Sequence, residues 1–297
     1  TEVTASVGSY RWTRAEIDLD ALRHNLEQFR KALDPGIELM AVVKANAYGH
    51  GAVKVAEEAV RFGVRYLAVA FLDEALELRR HGIAAPILVL GYTPPSGFAA
   101  AKAHGVTLAV FDDEALAAAA REPGSAPLRV HVKVDTGMGR LGGGGEEEAI
   151  RYIEKALQTP GVDVEGIFTH YACADARDKT HVTEQYRRFR RVVDHFRENR
   201  GISFKVVHAG NSATGLDTPA YTFNTLRLGV AMYGLYPSEE VNRSRVRLRP
   251  VMSLKTSVVM VKRLPRGCGI SYGSRYVTRT DGECIATLPV GYADGYS

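Results

Sequence analysis

The sequence predicts an α/β fold, in which a (β/α)8 TIM barrel is followed by a separate, apparently incomplete β-rich domain. Eight short apolar runs from residue 38 onward are each followed by a helix-length segment. This order favours a parallel sheet covered by helices, most simply closed into a barrel, with an open doubly wound sheet as the alternative. After about residue 235, strand-like runs are divided by glycine and proline. We therefore predict domains at 1–235 and 236–297.

An opening strand at 10–17 leads into a helix that Asp18 can cap and that Pro35 and Gly36 end. The barrel strands are predicted at 38–44, 66–70, 86–90, 106–110, 128–134, 163–169, 204–208 and 222–227. The helices between them are predicted at 52–62, 73–81, 94–104, 112–121, 145–158 and 181–199, with a short helix after Asn211. The segment 181–199 is the clearest, because its apolar residues recur on one face.

Composition narrows the class of protein. The chain is 45% hydrophobic and 24% charged, with a net charge of +4 and dispersed Lys and Arg, which gives no electrostatic basis for nucleic-acid binding. Three cysteines without paired spacing favour a reducing compartment and argue against disulfides or a zinc site, so no metal is expected. No apolar run reaches membrane-spanning length, and we expect a cytoplasmic protein without a membrane partner.

The most informative stretch is Ala41–Gly51, where a buried strand ends in Lys44 and breaks into a glycine-containing loop. A strand-end lysine often reaches water with its charged end. If it is desolvated at the mouth of a barrel, its pKa falls, and the free amine can bond covalently to a carbonyl cofactor. Lys44 is therefore a candidate nucleophile.

Two further loops could bind an anion. The loops after strands seven and eight usually hold phosphate in this fold, and here they contain Asn211 and Ser212, and then Gly229 and Val230. Small residues let backbone amides approach an anion, and Ser212 can donate its hydroxyl. A reactive lysine combined with a phosphate site predicts pyridoxal 5'-phosphate as the cofactor.

The glycines 137, 139 and 142 satisfy a dinucleotide-binding pattern between a strand and a helix. The pattern lies in the fifth unit, follows a strand carrying His131 and Lys133, and places Arg140 where pyrophosphate should approach. We interpret these glycines as a tight loop that directs Arg140 into the barrel mouth. A nicotinamide enzyme remains an alternative.

Taken together, the motifs resemble those of the bacterial alanine racemases, in the family's order and over essentially the whole chain. The matching segments are Ala41–Gly51, Val134–Arg140, Thr169–His170, His208–Ser212, Arg227–Gly234, Ser271–Gly273 and Gly291–Gly295. The resemblance implies an enzyme, a pyridoxal-phosphate-dependent isomerase that interconverts L- and D-alanine for peptidoglycan.

The resemblance also implies roles for individual residues. Lys44 and Tyr272 would be the two catalytic bases, one on each face of the substrate carbon. The implied cofactor-binding residues are Lys44, Tyr48, His170, Asn211, Ser212, Arg227, Gly229 and Val230. Arg140 and Tyr292 would bind substrate or line its entrance, and Lys133 would be a carbamylation site.

In this family the tyrosine at the position of Tyr272 comes from a second subunit, which implies a homodimer with shared active sites. Family members continue beyond the position of Ser297, so we expect this chain to be truncated within its C-terminal domain. The sequence leaves open a racemase of broader specificity, a non-catalytic pyridoxal phosphate binding protein and a related decarboxylase.

Overall fold

The computed structural model describes residues 10–122 and 126–296, and the expected truncation at Ser297 lies outside them. It divides into two compact units. One is Asp18–Val251, and the other joins the described residues before Asp18 with those after Val251. Our division at 235/236 stays a prediction.

The larger unit is a nearly closed parallel barrel, which confirms the predicted fold class. The first strand of the described residues, β1 (Arg14–Ile17), belongs to the smaller unit. The strands of the larger unit are, in chain order, β2 (Glu38–Val42), β3 (Tyr66–Val69), β4 (Ile87–Val89), β5 (Val106–Val110), β6 (Leu128–Asp135), β7 (Gly143–Gly144), β8 (Val162–Phe168), β9 (Val206–His208) and β10 (Thr225–Leu228). The barrel order is β10-β2-β3-β4-β5-β6-β8-β9, all parallel, with β7 paired only to β6.

The barrel closes between its last two strands. The amide of Asn224 donates to the carbonyl of Val207, and the amide of Arg227 donates to that of Gly210, each at 3.2 Å. Residues on β2 to β5 are almost all buried, as expected for strands covered on both faces. The carboxyl ends of all eight strands therefore converge on one mouth.

Helices cover the outside of the barrel. They are Leu19–Ala32, Ala52–Phe62, Leu72–Arg80, Phe98–Ala103, Asp113–Arg121, Glu146–Gln158, Thr180–Asn199 and Ser212–Asp217. The helix predicted at 94–104 begins later, because prolines 94 and 95 form a 3-10 turn at Pro95–Gly97 first. Asp18 caps the first helix by accepting from the amide of Ala21 at 2.9 Å.

The smaller unit is built from antiparallel strand pairs. Its further strands are β11 (Met252–Lys255), β12 (Met260–Leu264), β13 (Gly269–Ile270), β14 (Tyr276–Val277) and β15 (Glu283–Thr287). The opening strand β1 pairs with β11, β12 with β15 and β13 with β14. Across the described residues, no helix is both long and apolar enough to span a membrane.

Candidate active site

A cavity of about 310 Å³ lies among residues at the carboxyl ends of the barrel strands and in the loops that follow them. It brings together ten of the twelve residues singled out in the sequence: Lys44, Tyr48, Lys133, Arg140, His170, Asn211, Ser212, Arg227, Gly229 and Val230. The other two, Tyr272 and Tyr292, belong to the smaller unit, where their side chains are 86% and 82% exposed. Four of the lining residues are cationic types, so the cavity suits an anionic ligand.

Lys44 is the second residue after the buried end of β2 and is itself partly buried. Burial lowers the pKa of its amine, and the nearby cations Arg140 and Arg227 lower it further, whereas Glu74 raises it. A lysine with a lowered pKa has a larger fraction of free amine at neutral pH. The side chain can therefore act both as a nucleophile and as an acceptor of protons.

Lys44 opens a left-handed turn. Ala45, Asn46, Ala47 and Tyr48 all have φ between 51° and 54°, a region in which each residue with a side chain costs about 1–2 kcal/mol. The turn brings the ring of Tyr48 to 5.0 Å from that of Tyr233. A Cβ at position 229 would lie 2.9 Å from the Tyr48 hydroxyl oxygen, so a larger residue there would displace the tyrosine. The Tyr48 hydroxyl thus directly adjoins the loop after β10.

Ser212 joins the two loops in which an anion site was expected. Its Oγ accepts from the amides of Gly229 and Ala231, each at 3.2 Å, and the side chain is almost fully buried. Asn211 caps the following short helix through the amide of Thr214. The hydroxyl proton of Ser212 is left to donate to a ligand oxygen, because Oγ accepts from both amides.

Arg227 is a buried cation surrounded by acceptors. One terminal nitrogen, Nη1, donates to His208 Nδ1 at 2.8 Å. The other, Nη2, donates to His170 Nδ1 at 2.8 Å and to the carbonyls of Ala209 and Thr169 at 2.9 and 3.1 Å. Burial lowers the pKa of Arg227 to about 10, so the guanidinium stays charged at neutral pH.

A chain of buried hydrogen bonds extends from Arg227 through the barrel interior. His208 Nε2 lies 2.9 Å from His131 Nδ1, and His131 Nε2 lies 3.4 Å from Glu165 Oε2. Arginine can only donate, so His208 Nδ1 must accept, and its Nε2 carries the hydrogen given to His131. His131 in turn donates from Nε2 to Glu165. Every hydrogen in the chain therefore points from the arginine toward the carboxylate.

Sequence reasoning assigned no role to His131, His208 or Glu165. A signal was present in β6, where His131, Lys133 and Asp135 alternate with valines. Alternate residues of a strand point to one face, so this spacing places three polar side chains in an otherwise apolar interior. The contact of His131 with His208 joins β6 to β9, which are separated by β8 in the sheet, and it has no local signal.

Lys133 is 4% exposed and lies on the strand before the glycine loop. Burial lowers the pKa of its amine to about 7, with Arg227 and Arg140 adding to the effect. Its Nζ lies 4.7 Å from the centre of the Phe168 ring. Near pH 7 a large fraction of this amine is uncharged.

The glycine-rich loop is organised around Asp135. The side-chain carboxylate accepts from the amides of Gly137 and Met138 at 2.8 Å and of Arg140 at 3.2 Å. A dinucleotide site needs such amides for pyrophosphate, so this contact argues against the nicotinamide alternative. The loop instead places Arg140 on the cavity, as the sequence interpretation requires.

The fold and site together define a class: a barrel enzyme with a partly buried amine and a cationic cavity at the carboxyl ends of its strands. The family model for the alanine racemase N-terminal domain matches residues 17–237, and that for the alanine racemase C-terminal domain matches 251–297. The chain therefore belongs to the alanine racemase family.

Relatives agree with this assignment. An alanine racemase of Desulforamulus reducens is 46% identical, over 95% of this chain and 76% of its own. The structure of an alanine racemase from Clostridium difficile 630 is 40% identical with a TM-score of 0.90, over 98% of this chain and 76% of its own. A histidine racemase from Leuconostoc mesenteroides is 30% identical with a TM-score of 0.88, over 98% and 77%.

Proposed function

We propose that this protein is a pyridoxal-phosphate-dependent alanine racemase that interconverts L- and D-alanine. One observation carries the proposal: the Lys44 amine, the Ser212 and Gly229 loops and the Arg227 guanidinium line one cavity. These three features match the aldehyde, the phosphate and the pyridine nitrogen of the cofactor. The described residues include no group of three or more His, Cys, Asp or Glu that could hold a metal ion.

The residues present fit this cofactor. Tyr48 and Ser212 offer hydroxyls beside the loop of Gly229 and Val230, where a phosphate would be bound, and Asn211 orders the neighbouring loop that carries Ser212. When bound, pyridoxal phosphate would withdraw electrons from the substrate and acidify its Cα proton. Arg227, held in place by His170, would donate to the ring nitrogen and retain its own proton because its pKa is far above neutrality.

Racemisation needs a base on each face of the reacting carbon. Lys44 serves one face, since its pKa is lowered and its amine lines the cavity. Tyr272 would serve the other from a second copy of the chain, and its large exposure supports that role. Arg140 would bind the substrate carboxylate, and Tyr292 would line the entrance.

Borohydride reduction of the cofactor-loaded protein tests the proposal. Peptide mapping should find one pyridoxyl label, on Lys44, and a chiral assay should detect D-alanine formed from L-alanine. A label on another lysine would reject the assignment of Lys44. Labelling without D-alanine would favour a non-catalytic binding protein, and comparison of alanine with larger amino acids measures the breadth of specificity.

Tyr272→Phe is expected to slow proton removal from one alanine enantiomer about a hundredfold, because the ring stays but the proton-transferring hydroxyl is lost. Exchange of the Cα proton with deuterated water, followed separately from L- and D-alanine, measures this. Tyr276→Phe, in the same unit, is the control. Equal loss from both enantiomers would contradict two-base chemistry.

A shared active site predicts complementation between two variants that each lack one of the two proposed bases. Lys44→Ala and Tyr272→Phe homodimers, mixed and allowed to exchange subunits, would form hybrids in which one site carries both changes and the other carries neither. Recovery of activity is expected. If activity does not recover although exchange is demonstrated, Tyr272 acts within its own chain.

Lys133 is expected to form a carbamate. Its amine, with a pKa lowered to about 7, is sufficiently uncharged to attack the carbon of CO2, forming an N–C bond and releasing a proton to solvent. The resulting anion would orient Arg140. In 13C-bicarbonate, nuclear magnetic resonance should show a carbamate signal that Lys133→Ala removes, together with about a tenfold loss of kcat/KM. Persistence of the signal in the variant would place it elsewhere.

We further propose that the protein works in the cytoplasm and supplies D-alanine for peptidoglycan. Its three cysteines, Cys173, Cys268 and Cys284, are all free thiols, as a reducing compartment favours. Rescue of a bacterium that requires external D-alanine would support this use. Failure of an expressed, active protein to rescue growth would contradict it.

A further inference from the structure

The left-handed turn that follows Lys44 must be held by its surroundings. Residues with side chains rarely adopt positive φ, and Ala45 to Tyr48 do so four times in succession. Within the turn, the side chain of Asn46 accepts at 2.8 Å from the amide of Ala52, which begins the next helix. At its near end, the amide of Ala45 donates to Glu74 Oε1 at 2.5 Å. Glu74 therefore binds the residue directly after Lys44.

The same carboxylate also binds a second strand end. Glu74 Oε2 accepts from the amides of Ala70 and Phe71 at 2.7 and 3.1 Å. These residues follow β3, and Glu74 lies in the first turn of the helix Leu72–Arg80. One side chain thus joins the ends of two neighbouring barrel strands, and both of its oxygens accept from backbone N–H groups.

The charge of Glu74 also acts on the lysine. Of the charged groups that shift the pKa of Lys44, Arg140 and Arg227 lower it, and Glu74 raises it. Burial remains the largest cause and also lowers it. The carboxylate therefore opposes two cations at the amine.

We propose that Glu74 is a positioning residue for the reaction: it fixes the strained turn that places Lys44, and its negative charge balances the two arginines around the amine. This inference rests on the proposed role of Lys44. It goes beyond that role by assigning a function to a residue 30 positions away in the sequence, on a different barrel unit.

Glu74→Gln is the sharpest test, because the amide has nearly the same shape but only one acceptor. Its NH2 group must face either the amide of Ala45 or those of Ala70 and Phe71, so that N–H donors face each other and a hydrogen bond is lost. Asp73→Asn is the matched control, since it removes a carboxylate from the same helical turn. Glu74→Asp keeps the charge but shortens the reach.

The first measurement uses the full chain freed of cofactor. Acetylation of Lys44 by acetic anhydride is followed over a range of pH by peptide mass spectrometry, and its midpoint reports the pKa of the amine. We expect a lower midpoint in Glu74→Gln, because a stabilising negative charge is lost. Asp73→Asn should keep the wild-type midpoint. A merely structural role for Glu74 would leave the midpoint unchanged.

The second measurement is titration with pyridoxal phosphate, followed by absorbance. Glu74→Gln and Glu74→Asp should each bind about tenfold more weakly, because the turn that places Lys44 is released. If Glu74→Gln keeps both the wild-type acetylation midpoint of Lys44 and the wild-type affinity for pyridoxal phosphate, the proposal is overturned. If Glu74→Gln does not fold, wild-type affinity in Glu74→Asp would overturn it.

Failure of the proposed function gives a different pattern. If borohydride places no label on Lys44 of the wild-type protein, the cofactor assignment fails, yet the acetylation midpoint still reports whether Glu74 acts on the amine. If the acetylation midpoint shifts in Glu74→Gln but no cofactor label is found, Glu74 acts electrostatically on the Lys44 amine but has no role in racemisation.

Discussion

Lys44→Ala is expected to abolish racemisation in both directions, by about 10⁴-fold or more, because in the proposed function one side chain would serve as both the cofactor's attachment point and a proton carrier. Alanine removes both functions at once. The partial burial of Lys44 and the cations beside it lower its pKa, which is why no solvent-exposed lysine would replace it. Initial rates with L-alanine and with D-alanine measure the loss, and the borohydride label should disappear in parallel.

The matched control for this prediction is Lys54→Ala. Lys54 lies on the helix Ala52–Phe62, is exposed, and pairs with Glu57 at 2.9 Å, so its loss should leave both rates unchanged. Lys44→Arg adds a second comparison, because arginine keeps the positive charge but offers no free amine at neutral pH. Retained activity within tenfold in either Lys44 variant would contradict the proposed chemistry.

The barrel could be predicted because each strand carries its own signal. Runs such as Val106–Val110 are apolar on both faces, and helices such as Ala52–Phe62 present a regular apolar stripe. The smaller unit is harder to predict, because β1 pairs with β11 across more than two hundred residues. No local pattern records such a pairing.

The left-handed turn after Lys44 shows a different limit of prediction from sequence. Alanine favours right-handed helix, so the residues from Ala45 to Tyr48 would locally prefer the opposite hand. The turn exists because of contacts from outside it, including the one from Glu74. Sequence reasoning found Lys44 through the strand and the motif, but it could not find the carboxylate that places it.

The cavity and its surroundings contain residues that could be predicted from the sequence and residues that could not. Ser212 was singled out because it follows a predicted barrel strand, and Arg227 because of the family resemblance; both line the cavity. The partners of Arg227 within the barrel, His208 and beyond it His131, meet only once the sheet has curved round on itself. The sequence thus predicted residues that line the cavity, but it did not predict the partners that hold Arg227 in place.

Glu165→Gln is expected to lower the free energy of unfolding by about 3 kcal/mol at neutral pH. Burial raises the pKa of Glu165, but hydrogen bonds from His131, Lys205 and Tyr66 outweigh it and lower the value from 4.5 to about 2. That difference corresponds to about 3 kcal/mol, because one pKa unit is about 1.4 kcal/mol. Glu165 is 8% exposed, so solvent screens its contacts with the buried His131 and Tyr66 little.

The pH dependence fixes the sign of the effect. A carboxyl group whose pKa is lower in the folded state stabilises the fold above its unfolded pKa, and loses that contribution as the pH falls toward the folded value. The stability gap between wild type and Glu165→Gln should therefore be full above about pH 5 and should close as the pH approaches 2. Urea unfolding at a series of pH values measures the gap.

Lys205→Met separates the carboxylate's role from that of its exposed partner. The Lys205 side chain is 58% exposed and lies 2.7 Å from Glu165, so its loss should cost less than about 1 kcal/mol.

Glu165→Gln should also disturb Arg227, because His131 and His208 transmit the direction of donation between them. Histidine 15N spectra of the two variants distinguish these cases: altered His208 signals only in Glu165→Gln would support the chain, and unaltered signals in both would show that Arg227 alone sets the tautomer.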